Sequence, residues 1–388
     1  MRRVVFSSLT VILSVAGVLL ALEGIGAARL HYHHGRHEPE LPEPLRGQVL
    51  VHGRAIETVP DPYLLFRVKP DLRTEHVQTN RFGLRNGPIE IEPRGLRVLL
   101  LGGSTAWGYS ARSNDETIAA YLQAYLRVNG ERAPALRDQP VEVLNGGVFG
   151  YVSWQEALAY AVYHRKLRPD VVVVLDGAND VYSAILHGRA GLPIRFDASR
   201  KPYLKPVPAP LETLVSWLRY RVERMRFVRA LRISAPAQAA PFEAPPAERV
   251  AAAYRDALTS LADLTRADGV LLLAVLQPIA ILPGLKPLTA YEEAVVAEHE
   301  RKIPGRNAYY AEVYDELRDV LTDLARERPE MLSFDATSIY RNDTQIVYTD
   351  YCHLVPHGRQ ELARVIGDRL LEALEQSGVP EARPRAGS

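Results

Sequence analysis

Cysteine is almost missing from this 388-residue chain, and the one present, Cys352, leaves no partner for an intrachain disulfide. Lysine is scarce beside arginine, and neither sign of charge dominates: 47 basic and 46 acidic side chains leave a formal net charge of +1. With no concentrated basic block, the composition argues against nucleic acid as the main partner. Two catalytic signatures are absent as well. His353 and His357 are spaced i, i+4, but Pro356 lies between them and no HExxH glutamate accompanies them, so they do not read as a zinc pair. The GxSxG elbow is broken at Ala106, which stands where its last glycine belongs. No internal repeat is evident. A hydrophobic content of 47% suffices for one large domain or two smaller ones.

One uncharged run exceeds all others in length. Val4 to Leu22 carries no charge and follows Arg2 and Arg3. At about 1.5 Å per helical residue it nearly crosses a hydrocarbon core of about 30 Å. It reads as a membrane anchor with the arginines on the cytoplasmic side and the rest of the chain outside, in a bacterial envelope or periplasm. Gly26-Ala27-Ala28 offers small residues for cleavage, which would make the chain secreted instead. Residues 1–30 are thus expected as an anchor or signal segment, and 31–95 as a linker and membrane-proximal subdomain. The His-rich stretch His31 to His37 reads as a solvated part of that linker.

From residue 96 to 378 the pattern alternates strand and helix. Apolar runs at Arg97 to Leu101, Val141 to Leu144, Val171 to Leu175, Val270 to Leu276 and Met331 to Asp335 read as strands. Helices are expected over Asn114 to Val128, from a Ser153–Glu156 capping box to about Arg168, over Ala311 to Arg328, and over His357 to Gln376. Such alternation predicts a parallel sheet with helices on both faces. Residues 185–246 interrupt it as an insertion, in which Trp217 to Ile233 forms an amphipathic basic stretch positioned as a cover or lid. Residues 379–388 read as a flexible tail.

Four blocks carry chemistry. Leu101-Gly102-Gly103-Ser104-Thr105 delivers a serine into a glycine-flanked turn directly after a strand. Asn145 to Gly150 follows the next strand, and Gly177-Ala178-Asn179-Asp180 the one after that. All three lie at strand C-termini, the edge where open parallel sheets bind ligands. Asp350-Tyr351-Cys352-His353 then brings a carboxylate and an imidazole on one loop, the pair a serine hydroxyl needs for activation. Taken singly, Ser104 is equally a capping residue, Asn179 an Asx-turn residue, and Gly146 and Gly147 simply turn glycines. Cys352 sits between Asp350 and His353, but a thiol nucleophile would leave the Ser104 block without a purpose.

Together, and in this order, the blocks resemble the SGNH (GDSL-like) hydrolase superfamily, in its membrane-anchored GGST-type subgroup, over roughly Leu96 to Leu371. Gly103 stands where many members carry Asp, and Asn80 to Arg85 is similar to a stretch upstream of the serine in membrane-linked relatives, with no chemical role evident from sequence. The resemblance implies a three-layer, flavodoxin-like α/β fold around a central parallel sheet, with an N-terminal transmembrane helix in addition. It implies Ser104 as nucleophile, His353 as general base and Asp350 as its orienting partner. The Ser104 and Gly150 backbone N–H groups and the Asn179 amide would form the oxyanion hole. No metal or organic cofactor is called for.

The expected activity is hydrolysis of an ester through an acyl-serine intermediate, on an envelope or secreted glycan carrying, for example, O-acetyl groups. Rival readings keep the same residues for a lipase, a thioesterase or a glycan O-acyltransferase, or make the chain a non-catalytic glycan-binding or scaffold protein. A working neutral His353 predicts a rate rising with pH through an apparent pKa of about 6 to 7.

Overall fold

Five short runs rich in Val and Leu build one sheet in the computed structural model, which describes residues 14, 17–28, 39–49, 57–133, 136, 139–196, 225 and 243–376. A small antiparallel hairpin, β1 (Thr58–Asp61) and β2 (Leu65–Val68), precedes it. The sheet strands are β3 (Leu96–Gly102), β4 (Val141–Asn145), β5 (Val171–Asp176), β6 (Leu271–Leu276) and β7 (Met331–Asp335). They pair in parallel in the order β4-β3-β5-β6-β7. Numbered from the first sheet strand, this is the 2-1-3-4-5 order of flavodoxin-like folds, in which the order reverses around β3.

The strands are mostly apolar on both faces because both sheet faces are covered. Side chains alternate between two cores: Leu99, Leu101, Val172 and Val174 join one, while Val98, Leu100, Val171 and Val173 join the other. Against the second lie α2 (Ile118–Asn129) and α8 (Pro356–Gln376). The first is covered by α3 (Ser153–Ala159), α5 (Ala247–Asp268) and α7 (Arg306–Glu327). Between them in sequence come α1 (Ser104–Trp107), α4 (Ala178–His187) and α6 (Ala290–Lys302). The five expected sheet strands agree with the observed ones to within a residue, whereas the hairpin strands β1 and β2 and the helices α1, α4, α5 and α6 carry no assignment in the sequence reading.

The segment Ser153 to Arg168 departs from a plain capped helix. Ser153 is the first helical residue, and its hydroxyl donates to Asp180 at 2.7 Å instead of capping. Glu156 turns inward and is fully buried. Beyond Ala159 the helix widens into a π turn over Tyr160–His164 and closes in a 3-10 turn over Arg165–Leu167.

Residues 41–95, expected as linker and membrane-proximal subdomain, fall in the same compact unit as the sheet, which comprises Leu41–Arg200 and Phe242–Ser388. Leu64, Phe66 and Val68 of the hairpin pack with Trp107, Val148 and Tyr151. Met1–Glu40 and Lys201–Pro241 form a separate unit. The uncharged run 4–22 and the basic stretch 217–233 lie mostly outside the described residues. Among the described residues, no helix is long and apolar enough to cross a membrane.

Candidate active site

β3, β4 and β5 end side by side, and each delivers one of the expected residues to the same sheet edge. β3 runs into Gly103, which caps α1, so Ser104 occupies the first helical position. Its backbone N–H is therefore one of the donors a helix start leaves unmatched. Gly150 follows β4 in a left-handed turn at φ 72°. Neither the Ser104 nor the Gly150 N–H has an acceptor among the described residues. The Asn179 amide donates to the Tyr151 carbonyl at 2.7 Å, which fixes the side chain and leaves a second N–H. A Cβ on residue 103 would meet Asn179 Nδ2 at 2.3 Å, so glycine there lets the serine turn approach the amide. Gly146 and Gly147 serve close packing at negative φ: a Cβ at 147 would sit 2.3 Å from the Trp107 backbone nitrogen.

The base arrives from the opposite end of the chain. Ser104 Oγ lies 2.7 Å from His353 Nε2, and His353 Nδ1 lies 2.6 Å from Asp350 Oδ2. The other carboxylate oxygen accepts the backbone N–H groups of Cys352 and His353, each at 2.9 Å. Thr105 Oγ1 and Gln277 Nε2 both donate to the Cys352 carbonyl at 3.2 Å, which ties the base loop to the residue after the nucleophile. Tyr109 stacks on the imidazole with centroids 4.2 Å apart and 24° between planes.

Electrostatics follow from this arrangement. Burial pushes the Asp350 carboxyl up, but His353 and the two backbone donors outweigh it and hold the group at about 2. Burial disfavours the charged imidazole, yet Asp350 dominates and raises His353 well above its ordinary 6.5. The inflection expected near 6 to 7 is accordingly displaced upward. Burial also raises the Cys352 thiol, which stays neutral beside the imidazole at 3.8 Å. His357 faces Asp343 at 3.4 Å, apart from the serine.

Sequence reasoning missed three supports of this site. Arg85, buried, closes the stretch Asn80 to Arg85 and gives it a role. Its guanidinium donates to the carbonyls of Trp107, Gly108, His76, Ala111 and Ser113 and to Asn114 Oδ1, clasping the turn that follows the nucleophile. Arg359 of α8 grips the same turn through Ser110 Oγ and the Glu116 carbonyl, and also holds the Leu354 carbonyl beside the base. The third support is a cluster of buried carboxylates, Glu156, Asp176 and Asp180, behind the oxyanion elements. Desolvation raises all three, Asp180 to about 6, and the neighbouring carboxylates push Glu156 and Asp176 further up. Tyr254 donates to Asp176 at 2.7 Å.

Residues 100–288 match the sequence model of the GDSL-like Lipase/Acylhydrolase family. The match supports a GDSL-like ester hydrolase. It includes Ser104, Gly150 and Asn179 and stops short of Asp350 and His353, whose place rests on the distances above. No curated protein matches the chain. Solved structures similar to it include the lipase/acylhydrolase from Enterococcus faecalis, 12% identical over 75% of this chain and 100% of that one, with a TM-score of 0.41. A catalytic mutant of the acetylxylan esterase Axe2 from Geobacillus stearothermophilus is 15% identical over 76% and 100%, with a TM-score of 0.39. LAE5, an α/β hydrolase enzyme from the metagenome of Lake Arreo, Spain, is 17% identical over 72% and 98%, also with a TM-score of 0.39.

Proposed function

We propose that this chain is a serine esterase that works through an acyl-serine intermediate. The observation that carries the reading is the continuous relay Ser104 Oγ to His353 Nε2 and His353 Nδ1 to Asp350, at 2.7 and 2.6 Å. His353 takes the Ser104 proton as the hydroxyl attacks the ester carbonyl. Negative charge then develops on the carbonyl oxygen, where the Ser104 and Gly150 N–H groups and the free Asn179 N–H receive it. His353 returns the proton to the departing alcohol, and the same imidazole activates water to release the acid.

The finer reading places the chain in the membrane-anchored GGST-type subgroup. It is held by residues 4–22 with its catalytic unit outside the cytoplasm, and it removes O-acyl groups such as acetyl from an envelope or secreted glycan. The uncharged run behind Arg2 and Arg3 supports the location. The test is a fluorophosphonate probe combined with an ester panel that includes acetylated polysaccharides. Parent protein should be labelled on Ser104 and should release acid, and Ser104→Ala should do neither. Equal turnover by parent and Ser104→Ala would sink the reading, and transfer of the acyl group to an added sugar in place of acid release would make the enzyme an acyltransferase.

A further inference from the structure

Arg306, the first residue of α7, stands beside the catalytic loop with no direct hydrogen-bond or ion-pair partner for its side chain among the described residues, Glu300 opposing its charge only through space. Only 6% of it is exposed, yet its side chain makes no hydrogen bond and no ion pair among the described residues, and Nε is buried without a partner. Arginines shut away from water are ordinarily paired, because an uncompensated charge in such a place is costly. Glu300, the carboxylate that faces it through space, and Asp350 on the adjoining loop both have other partners. Glu300 accepts the backbone N–H groups of Gly305 and Asn307, and Asp350 serves His353.

Its surroundings point toward the reacting centre. Tyr351, which interacts electrostatically with the guanidinium, sits between Asp350 and Cys352, and Tyr182, which does likewise, lies one helical turn beyond Asn179 on α4. Both tyrosines are half-buried. His299 packs on Tyr351 with centroids 4.4 Å apart and also leaves its Nε2 without a partner. Burial pushes this imidazole down to about 4, so at neutral pH it contributes a polar edge and no charge. Arg306 is therefore the cation of a small polar and aromatic nest that adjoins both the base loop and the oxyanion-hole helix.

We propose that Arg306, with Tyr182 and Tyr351, forms a subsite for a carboxylate on the alcohol side of the ester, so that the preferred substrate is an acylated acidic sugar. This deepens the esterase reading and rests on it. A guanidinium presents a planar fork that matches a carboxylate with two parallel hydrogen bonds, and rings with polar tips suit a sugar that has both apolar and polar edges.

The experiment compares acetylated methyl glucuronoside with acetylated methyl glucoside, which differ in one carboxylate. Parent enzyme should favour the acidic ester by about tenfold or more in kcat/KM, as expected when a charge-assisted hydrogen bond is gained, and added salt should erode the preference. Arg306→Gln should bring the acidic-to-neutral ratio close to one, and Arg306→Lys should fall between. A ratio near one in the parent, which needs no variant, or an unchanged ratio in Arg306→Gln, would overturn the proposal. Calorimetric titration of Ser104→Ala with glucuronate and with glucose separates this failure from that of the esterase reading. Selective binding of glucuronate by a protein whose parent cleaves no ester would reject the hydrolase and keep the subsite, and equal weak binding of both sugars would reject the subsite.

Discussion

Replacing Asp350 by asparagine isolates the electrostatic and the geometric contributions of the base loop. The carboxylate lies 2.6 Å from His353 Nδ1 and is held at about 2 against an ordinary 3.8. At about 1.4 kcal/mol per unit, this net shift corresponds to about 2.4 kcal/mol of carboxylate stabilisation, shared between the imidazolium and the two backbone donors. The Asp350 side chain is 40% exposed, so solvent screening reduces the figure to about 1 to 2 kcal/mol, roughly a tenfold effect on a step that generates the imidazolium. Geometry adds more. Asparagine can still accept the Cys352 and His353 backbone N–H groups, but its amide turned toward Nδ1 favours the tautomer with hydrogen on Nε2, which cannot take a proton from Ser104. Asp350→Asn should then lower kcat by about 10³ to 10⁴, with KM little changed. In the parent, kcat/KM should rise with pH through an inflection above 6.5, because His353 must be neutral to act and Asp350 raises its pKa. The variant's residual activity should inflect lower. Steady-state kinetics from pH 5 to 9 on a small neutral ester measure both quantities. A loss of less than tenfold with an unmoved inflection would refute the coupling of Asp350 to His353.

Other expectations follow from neighbouring features. Asn179→Ala should reduce kcat by about 10² to 10³ with a small change in KM, the pattern of a donor that acts mainly on the transition state. Tyr109→Leu should lower the inflection of the pH profile by removing the ring stacked on His353, while Tyr109→Phe retains it, and a common effect of both would assign the tyrosine a merely packing role. Arg85→Ala leaves several buried carbonyls without donors and should cost about 3 to 5 kcal/mol in urea unfolding. Asp180 titrates near 6 when folded against an ordinary 3.8, so its contribution to stability is fully present below the unfolded value and is lost as pH rises from about 4 through 6. The loss is about 2 to 3 kcal/mol, and Asp180→Asn, which can still accept from Ser153, should flatten that part of the stability profile in denaturant melts.

Much of the site was legible in the sequence because Ser104, Gly150 and Asn179 each follow a short apolar run, and parallel strands bring their C-terminal ends to one edge. The Asp350 and His353 spacing added the base, since a single loop suffices to hold that pair. Arg85 was not legible: its acceptors are mainly backbone carbonyls of a distant turn, and carbonyls leave no trace in side-chain pattern. Glu156 occupied a plausible capping-box position, and its burial depends on Asp176 and Asp180 arriving from other elements. The Ser153 to Arg168 segment reads as one regular helix from its capping-box start, a pattern that marks where a helix begins and carries no sign of the π turn over Tyr160–His164. Tyr109 gave no signal because stacking on His353 joins residues far apart in the chain.

The distance in sequence between nucleophile and base carries a consequence for biogenesis. Ser104 and His353 are 249 positions apart, and Arg359 of α8 bonds both the Ser110 hydroxyl and the Leu354 carbonyl next to the base. A nascent chain that has emerged only as far as β7 includes Ser104, Gly150 and Asn179 but not Asp350 or His353, so the proposed relay cannot form in it. The proposed relay needs α8 in place, since Arg359 holds the base loop against the turn after Ser104. Until Asp350 and His353 have been synthesised, the chain carries its proposed nucleophile without a base.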